Sequence, residues 1–377
     1  MLFNGFGVQV SNQLFRSILF ASYAPRDAII NQDGTFSDIT IEAQLDSLGH
    51  VMAVVPTDFN NRRDVDLMVV DFVGVPRLFS NLRDGTFRDA ADTVGLTRGN
   101  LPEKTNAVAV ADLNKDDFPD IFFAGEALGV VAMSDGRGHF TFIPGPPVTA
   151  VRVAQFLDYD NDGLLDLLTR SPDGFRLFRF LERAWIDVST TAMLPDVSTA
   201  IPLVSARSTV LGDLDRSGTT DLVTTTDGQF LLLRNTGDTQ NQVLRVELSG
   251  LASNRTGVGT KVQMRAGSLR SRVETSAASP AVGPADLLFG VGQREGADVI
   301  RVLWPSGILQ AETAGVERGG DAVADPQQYL PSIFPVREID RKPSSCPLLY
   351  AWNGHRFDRI ALRRRQDRCF ATVGSYG

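Results

Sequence analysis

Four acidic segments of nine residues recur along the chain at intervals of 46 to 55 residues. Each segment starts and ends with an aspartate, and the four starting residues are Asp58, Asp112, Asp158 and Asp213. A short apolar stretch precedes each segment and another follows it, as 151–156 and 167–169 do around the third. Apolar stretches joined by a polar loop are typical of antiparallel hairpins. A repeat at this interval predicts stacked units, because a unit of this size cannot bury its faces alone.

A second turn signal lies between the acidic segments. Asp-Gly dipeptides precede a phenylalanine within residues 31–36, 81–87 and 134–140. Asp-Gly favours a tight hairpin because glycine adopts a positive φ without steric penalty. Each repeat therefore supplies about four strands in about 50 residues, which is the size of a β-propeller blade. We expect an all-β fold that contains a partial β-propeller.

The third acidic loop has the most complete pattern for a metal ion. Its positions 1, 3, 5 and 9 are acids, and Gly163 at position 6 allows a tight turn. Alternate residues of such a loop point to one centre, and four carboxylates held close together repel one another unless a divalent cation lies between them. Calcium suits this loop because it accepts six to eight oxygen ligands in flexible geometry. The predicted ligands are Asp158, Asp160, Asp162, the carbonyl of Leu164, and Asp166.

Two other loops keep the pattern in weaker form. In the loop at 112, Asp117 replaces the glycine, and in the loop at 213, Ser217 replaces an acid. The predicted calcium ligands of the second loop are Asp112, Asn114, Asp116, Phe118 and Asp120. Those of the fourth loop are Asp213, Asp215, Ser217, Thr219 and Asp221. The loop at 58 places Arg62 and Arg63 where the ion would lie, so we expect it to be free of metal.

The same spacing of acids also occurs in EF-hands and in simple Asx-turn hairpins. An EF-hand starts in the same way but needs a glutamate at position 12 and flanking helices. Position 12 is held here by Val69, Phe123, Thr169 and Thr224, so EF-hands are excluded. The remaining alternative is a set of Asx-turn hairpins whose aspartates bind backbone amides and no metal.

These repeats resemble the FG-GAP/VCBS repeats of integrin α-subunit-like propellers and of many secreted bacterial proteins. The resemblance covers about residues 17–240 and rests on the acidic loops. In that family the loop D-x-[DN]-x-[DN]-G-x-x-D binds calcium within a blade. The resemblance therefore implies a calcium-binding propeller, with a surface that binds other molecules.

A different pattern begins at about Val243. Three motifs follow one another, at 253–259, 287–292 and 304–307, between stretches that alternate as strands do. They are similar to the S-N-R-x-x-x-G, L-x-F-G-L-G and W-P-S-G motifs of the ASPIC/UnbV domain, with Val291 in place of the usual leucine. This order of modules resembles the cartilage acidic protein family and its bacterial relatives. It implies a small β-rich domain at 243–312 and assigns little chemistry to it.

Both ends of the chain depart from the repeat, and the sequence resembles a fragment. Residues 17–23 look like the strand after an acidic loop, yet no acidic loop precedes them. We expect a partial first blade at 1–40, FG-GAP/VCBS repeats at 41–240, and a C-terminal extension at 313–377. That extension is either truncated or frameshifted, or a genuine basic tail. Cys346 and Cys369 either form one disulfide or none.

Composition narrows the function classes. The chain has 45 acidic residues against 37 Lys and Arg, which argues against a nucleic-acid partner. No apolar run approaches the length of a membrane span. The three histidines lie in no catalytic motif, so we expect a protein that is not an enzyme.

The function that these features favour is a calcium-stabilised scaffold outside the cytoplasm, extracellular, periplasmic or at the cell surface, that binds a protein or glycan. Extracellular calcium is millimolar, which suits sites of modest affinity, whereas cytosolic calcium would leave them empty. The alternative is a secreted carbohydrate-active or other hydrolytic enzyme built on the propeller. Residues 1–13 do not resemble a signal peptide, which we attribute to a missing N-terminus.

Overall fold

The computed structural model describes residues 6–12, 15–21, 28–32, 35–46, 51–71, 75–194, 209–226, 229–237, 240–275, 287–313, 332–339, 349–352, 357–360, 362–365 and 368–371. These residues form strands and turns and contain no helix. The prediction of an all-β fold is confirmed. The chain divides into two compact units, 1–338 and 339–377.

The repeats form five consecutive antiparallel sheets, each with its strands in chain order. The first sheet contains β1 (Phe6–Asn12), β2 (Phe15–Ala21), β3 (Ala28–Gln32) and β4 (Thr35–Asp38). The second contains β5 (Val51–Thr57), β6 (Asp66–Asp71), β7 (Arg77–Asn81) and β8 (Phe87–Asp89). The third contains β9 (Thr105–Ala111), β10 (Asp120–Gly125), β11 (Val130–Ser134) and β12 (Phe140–Pro144).

The last two repeats differ in strand number. The fourth sheet contains β13 (Val153–Leu157), β14 (Asp166–Ser171), β15 (Gly174–Leu181) and β16 (Ala184–Asp187). The fifth has three described strands, β17 (Thr209–Gly212), β18 (Asp221–Thr226) and β19 (Gln229–Leu233). In sheets two to five, the acidic loop joins the first strand to the second, and its last aspartate is the first residue of that second strand. These sheets are the blades of the predicted partial propeller.

Blades two to five pack face to face, as the repeat predicts. The second strands β6, β10 and β14 are buried along their whole length. Their side chains alternate between the two faces, so one strand contributes to two cores. Phe123 of β10 packs in a core with the second blade, whereas Phe122 packs in a core with the fourth. Leu168 and Leu222 belong to the core between the fourth and fifth blades.

The module after the repeats contains two sheets. Its strands are β20 (Gln242–Ser249), β21 (Lys261–Ala266), β22 (Leu269–Glu274), β23 (Leu287–Gly292), β24 (Val299–Leu303), β25 (Leu309–Thr313) and β26 (Ser332–Arg337). One sheet has the order β23-β20-β26, with β20 parallel to β26, and the other has the order β22-β21-β24-β25. Trp304 is buried, and its Nε1–H donates to Oε1 of Gln310 at 3.0 Å.

The described part of the second unit consists of two antiparallel pairs. They are β27 (Leu349–Trp352) with β28 (Phe357–Ile360), and β29 (Leu362–Arg365) with β30 (Arg368–Ala371). Cys346 lies outside the described residues, so the question of a bridge to Cys369 stays open.

Candidate metal centre in the acidic loops

The four acidic loops follow one backbone path. Position 4 has a φ between 55° and 63° in every loop, held by Asn61, Lys115, Asn161 and Arg216. Position 6 has a φ between 70° and 89°, held by Arg63, Asp117, Gly163 and Gly218. Glycine adopts such angles freely, whereas a side chain with a Cβ is strained there. Arg63 and Asp117 therefore show that something beyond local preference holds the loop in shape.

The first aspartate of each loop holds this shape. In the loop at 158, the N–H groups of Asp162 and Gly163 donate to the Asp158 carboxylate at 3.1 and 2.8 Å. The loop at 58 has the same bonds, from Arg62 and Arg63 to Asp58, at 2.9 and 2.7 Å. Both bonds recur in the loop at 112, and the bond from position 6 recurs in the loop at 213. These are the bonds that the Asx-turn alternative predicts, so the first aspartate has a structural role in all four loops.

The last aspartate of each loop ties it to neighbouring strands. The Asp120 carboxylate accepts the N–H of Leu113 at 2.9 Å and the N–H of Ser134, on β11, at 2.8 Å. Asp66, Asp166 and Asp221 lie in the same place and are almost fully buried. Burial raises the pKa of Asp120 to about 7 and does the same to Asp66 and Asp166. The loops therefore hold buried carboxylates that are costly to ionise without a cation nearby.

The loop at 158 brings three of its predicted ligands together. Asp158, Asp160 and Asp166 each offer a carboxylate oxygen within 4.8 Å of the others. Burial, followed by the charge of Asp162, raises the pKa of Asp158 to about 8. Asp162 is not in this group, and its carboxylate accepts the N–H of Leu164 at 2.7 Å. Such an oxygen cluster fits a hard cation, but it does not contain all the ligands that the sequence predicts.

A guanidinium already contacts this cluster. Arg179, on β15, donates to Asp160 at 2.8 Å and to Asp166 at 3.0 Å, and lies 3.2 Å from Asp162. Burial works against the charge of Arg179, but the hydrogen bonds to Asp166 and Asp160 outweigh it and raise its pKa. Its guanidinium also lies 5.2 Å from the ring centre of Tyr159. Three of the five predicted ligands therefore have an ion-pair partner from their own sheet.

The loop at 213 has the same arrangement with two arginines. Asp213, Asp215 and Asp221 offer oxygens within 4.8 Å of one another. Arg245 of β20 forms a buried ion pair with Asp213, and Arg234 donates to Asp215 at 2.5 Å. Hydrogen bonds from Ser217 and then Arg234 lower the pKa of Asp215 to about 2.

The other two residues predicted in this loop bond to each other. The hydroxyls of Ser217 and Thr219 lie 2.8 Å apart. The Thr219 hydroxyl also donates to the carbonyl of Asn235 at 2.8 Å. The Ser217 hydroxyl is therefore already hydrogen-bonded within the loop.

The loop at 112 lacks such a cation. Among the described residues, no ion pair joins a basic side chain to Asp112, Asp116 or Asp120. Asn114 donates to Asp116 at 3.0 Å, and both side chains are exposed. Burial raises the pKa of Asp112 to about 6. Asp116 is exposed, whereas Asp112 and Asp120 are buried, and within the described part of the chain the acids of this loop do not form a group that converges within 4.8 Å. What distinguishes the loop at 112 is that its carboxylates have no ion-pair partner there, although the charge of Lys115 acts on Asp112.

The loop at 58 is occupied by the chain's own cations. Lys261 of β21 forms a buried ion pair with Asp58, and Arg83 pairs with Asp64. Arg62 donates to the hydroxyl of Ser80 at 2.9 Å, and its charge acts on the buried Asp66. The sequence indicated a cation in this loop, but the residue that contacts Asp58 comes from the C-terminal module. Whether the loop stays free of metal remains a prediction.

The C-terminal module contacts all four loops. Besides Lys261 at Asp58 and Arg245 at Asp213, Arg272 donates to the carbonyl of Asp117. The closest approach is at Gly290, where a Cβ would lie 2.0 Å from an Asp158 carboxylate oxygen. Gly290 belongs to the motif at 287–292, and the structure gives a steric reason for a glycine there.

A cavity of about 260 Å³ lies beside this contact. Asp158, Asp213 and Phe289 are among the residues that line it. Sequence reasoning missed the basic residues of the module because their partners are far away in the chain. Arg179 had a local signal, since counting back from the hairpin turn at 171–174 places it opposite Asp166.

The comparisons with known proteins agree with the two modules. An FG-GAP-like repeat model matches residues 58–123 and 112–169, and an ASPIC and UnbV model matches residues 250–315. No curated protein matches the chain. The described residues include no helix with the length and apolar character of a membrane span.

Two solved structures illustrate the remote similarities. One is an Agrocybe aegerita lectin that recognises non-reducing terminal N-acetylglucosamine, at 14% identity and a TM-score of 0.40 over 62% of this chain and 63% of that one. The other is PorZ, a surface component of the type-IX secretion system of Porphyromonas gingivalis, at 12% identity and a TM-score of 0.35. That match covers 85% of this chain and 39% of PorZ. The chain thus spans less than two thirds of either protein.

The identity of the chain rests on the repeats and the module that follows them. Acidic-loop blades at 58–169 and the module at 250–315 match their family models in the order that the sequence predicts. FG-GAP-like repeats indicate an interaction or binding module. The chain contains two FG-GAP-like repeats, followed by an ASPIC and UnbV domain.

Proposed function

We propose that this protein is a non-catalytic binding module, located outside the cytoplasm, whose blades are stabilised by calcium in the acidic loops. Its ligand is a protein or a glycan. The observation that carries the proposal is the convergence of carboxylates from positions 1, 3 and 9, within 4.8 Å, in two separate loops. Oxygen clusters of this kind suit calcium, and FG-GAP-like repeats often bind it.

Calcium would act here as a structural ion. The acidic loop joins the first two strands of a blade, and its last aspartate also bonds to the third strand, as Asp120 does to Ser134. A divalent cation between the carboxylates offsets their mutual repulsion and the cost of burying them. It would therefore fix three strands of the blade at one point.

The surface for the ligand lies away from the acidic loops in this proposal. The C-terminal module contacts the loop ends of the blades, through residues such as Lys261 and Arg245. The hairpin between β10 and β11 lies at the opposite end of its blade and exposes Glu126 and Leu128. Glu126 pairs with Arg152 at 2.6 Å, so the exposed Leu128 is the side chain of this hairpin that suits recognition of a protein or a sugar.

Thermal unfolding of the purified chain tests the calcium part of this proposal. Melting is measured in EDTA, then with calcium or magnesium added back. A ligand that binds the native state raises the stability by about 2.7 kcal/mol when present at about 100 times its Kd. We expect a calcium-selective rise in Tm, and the double variant Asp116→Asn/Asp160→Asn should lose most of it.

Asp173→Asn is the matched control, because Asp173 is exposed on the hairpin at the other end of the fourth blade. It should keep the full rise. A cooperative melt that ignores calcium would show that the loops are structural turns, and the calcium part of the proposal would fail.

A further inference from the structure

One strand position differs between blades in a way that affects the acidic loops. It is the residue on the third strand that lies opposite the last aspartate of the loop. In the fourth blade the pair is Asp166 and Arg179. In the fifth blade, Leu222 pairs with Leu233, so the next position places Arg234 opposite Asp221. In blades two and three the same count gives Ser80 and Met133.

The arginines at this position contact the acids that a metal ion would need. Arg179 contacts the carboxylates of Asp160, Asp162 and Asp166, which hold positions 3, 5 and 9. It is mostly buried, with 17% of its side chain exposed. A guanidinium presents several donors in one plane and matches carboxylate oxygens well. Calcium at this loop would have to displace these bonds.

The fifth blade repeats the arrangement independently. Arg234 contacts Asp215 at position 3, while Arg245 contacts Asp213 at position 1. Two of the three converging carboxylates in this loop therefore pair with an arginine. The third blade offers the contrast, because Met133 has no charge and cannot pair with Asp112, Asp116 or Asp120.

We propose that, among the loops at 112, 158 and 213, the residue opposite the last loop aspartate decides which loop binds calcium first, and this inference rests on the proposed function. Arginine at this position is an internal counter-ion that weakens calcium binding in the loops at 158 and 213. The loop at 112, with Met133, is then the first to take calcium. The number of acids at the ligand positions instead favours the loop at 158, which has four, over the loop at 112, which has three.

Charge explains the direction of the effect. A cation bound to the carboxylates removes part of the negative potential that attracts calcium, and this loss is large at short distance in a partly buried site. The calcium must also break the bonds of the guanidinium before its own bonds form. Both effects lower the affinity without changing any of the loop ligands.

Calcium titration by calorimetry on the full chain tests the proposal. We expect the unaltered chain to show one tight equivalent that Asp116→Asn removes and Asp160→Asn leaves in place. Arg179→Met should add a second equivalent, with an affinity at least about tenfold higher than that of the unaltered loop at 158. Arg176→Met is the matched control, since Arg176 lies on the same strand but pairs with Asp187 at 2.7 Å.

The reciprocal variant is Met133→Arg. It places an arginine in the loop at 112 and should weaken the tight equivalent about tenfold or more. This test does not depend on how well Arg179→Met folds. A far-ultraviolet spectrum and an EDTA melt of each variant would show that the blades are intact.

The outcomes separate this proposal from the proposed function. If Asp160→Asn removes the tight equivalent and Asp116→Asn does not, calcium still binds but the arginine proposal is overturned. If only Arg179→Met binds calcium, the arginine proposal is supported and the calcium-stabilised state of the unaltered chain is not. If neither chain binds calcium, both are overturned.

Discussion

The loops at 58 and 158 share one backbone path but differ in almost every side chain between their ends. Asp58 and Asp158 accept the same two backbone N–H groups, although position 6 is Arg63 in one loop and Gly163 in the other. One loop is contacted by Lys261 from the C-terminal module and the other by Arg179 from its own sheet. The comparison teaches that the aspartates at positions 1 and 9 build the loop, whereas positions 3 and 5 and the nearby cations set the charge of its centre.

The largest expected effect comes from filling the contact between Gly290 and the loop at 158. Gly290→Val places a Cβ where the Asp158 carboxylate and the backbone of Asn161 now lie, at 2.0 and 2.6 Å. We expect a loss of about 3 kcal/mol in the free energy of unfolding, because backbone cannot move away as a flexible side chain can. Chemical denaturation measures the loss.

Gly99→Ala serves as its control, since a Cβ at Gly99 would meet no atom within 4 Å. If Gly290→Val were as stable as Gly99→Ala, the contact between the module and the loop at 158 would not form in solution.

A somewhat smaller effect is expected at the ion pair that is special to the loop at 58. Asp58→Asn leaves the Lys261 ammonium, with 13% of its side chain exposed, with only the more distant Glu274 at 3.9 Å as an acidic partner. We expect a loss of about 2–3 kcal/mol, at or below the range for a broken buried pair. Lys261→Met alone should cost less, and the double variant should be more stable than the sum of the two losses predicts. Strict additivity in this double-mutant cycle would show that the two groups do not interact.

The buried Asp66 should make the stability of the chain depend on pH. Burial raises the pKa of Asp66 from 3.8 to about 7, so folded Asp66 binds its proton more tightly than unfolded Asp66 does. Stability without calcium should therefore fall as the pH rises from about 4 through about 7. Asp66→Asn cannot ionise, and its stability relative to the unaltered chain should increase over the same range. Melting in EDTA at pH 5.5, 7 and 8.5 measures this, and parallel curves for the two proteins would contradict it.

The smallest effect is expected from relieving strain at position 6. Arg63 holds a φ of 70°, which glycine adopts without penalty. Arg63→Gly should raise the stability by up to about 1 kcal/mol, because the strain of the left-handed backbone is removed. The N–H to Asp58 is kept, so the loop bond at 2.7 Å remains. A lower denaturation midpoint for this variant would mean that the Arg63 side chain stabilises the loop in another way.

Local features of the sequence predicted the blades well. The acidic segments and the Asp-Gly turns are short-range signals, and each marks a hairpin wherever it occurs. The strained φ of Asp117 was also foreseeable, since aspartate tolerates that region better than most residues. The cations were harder to predict. Arg179 needs the strand register, and Lys261 and Arg245 belong to a separate module whose docking has no signal near Asp58 or Asp213.

The contact of the module with the blade at 58 has a consequence for how the chain folds. In a repeat array, the stability of each unit ordinarily depends only on its own fold and on its contacts with the adjacent units. Here the backbone N–H of Asp58 bonds to Glu274 at a sequence separation of 216 residues. Contacts of such long range form late, because the closure of a long loop comes before any gain from the contact. The blades at 58 and 112 are therefore synthesised well before the module that contacts their loop ends, and full protection of those blades requires that this module has been synthesised.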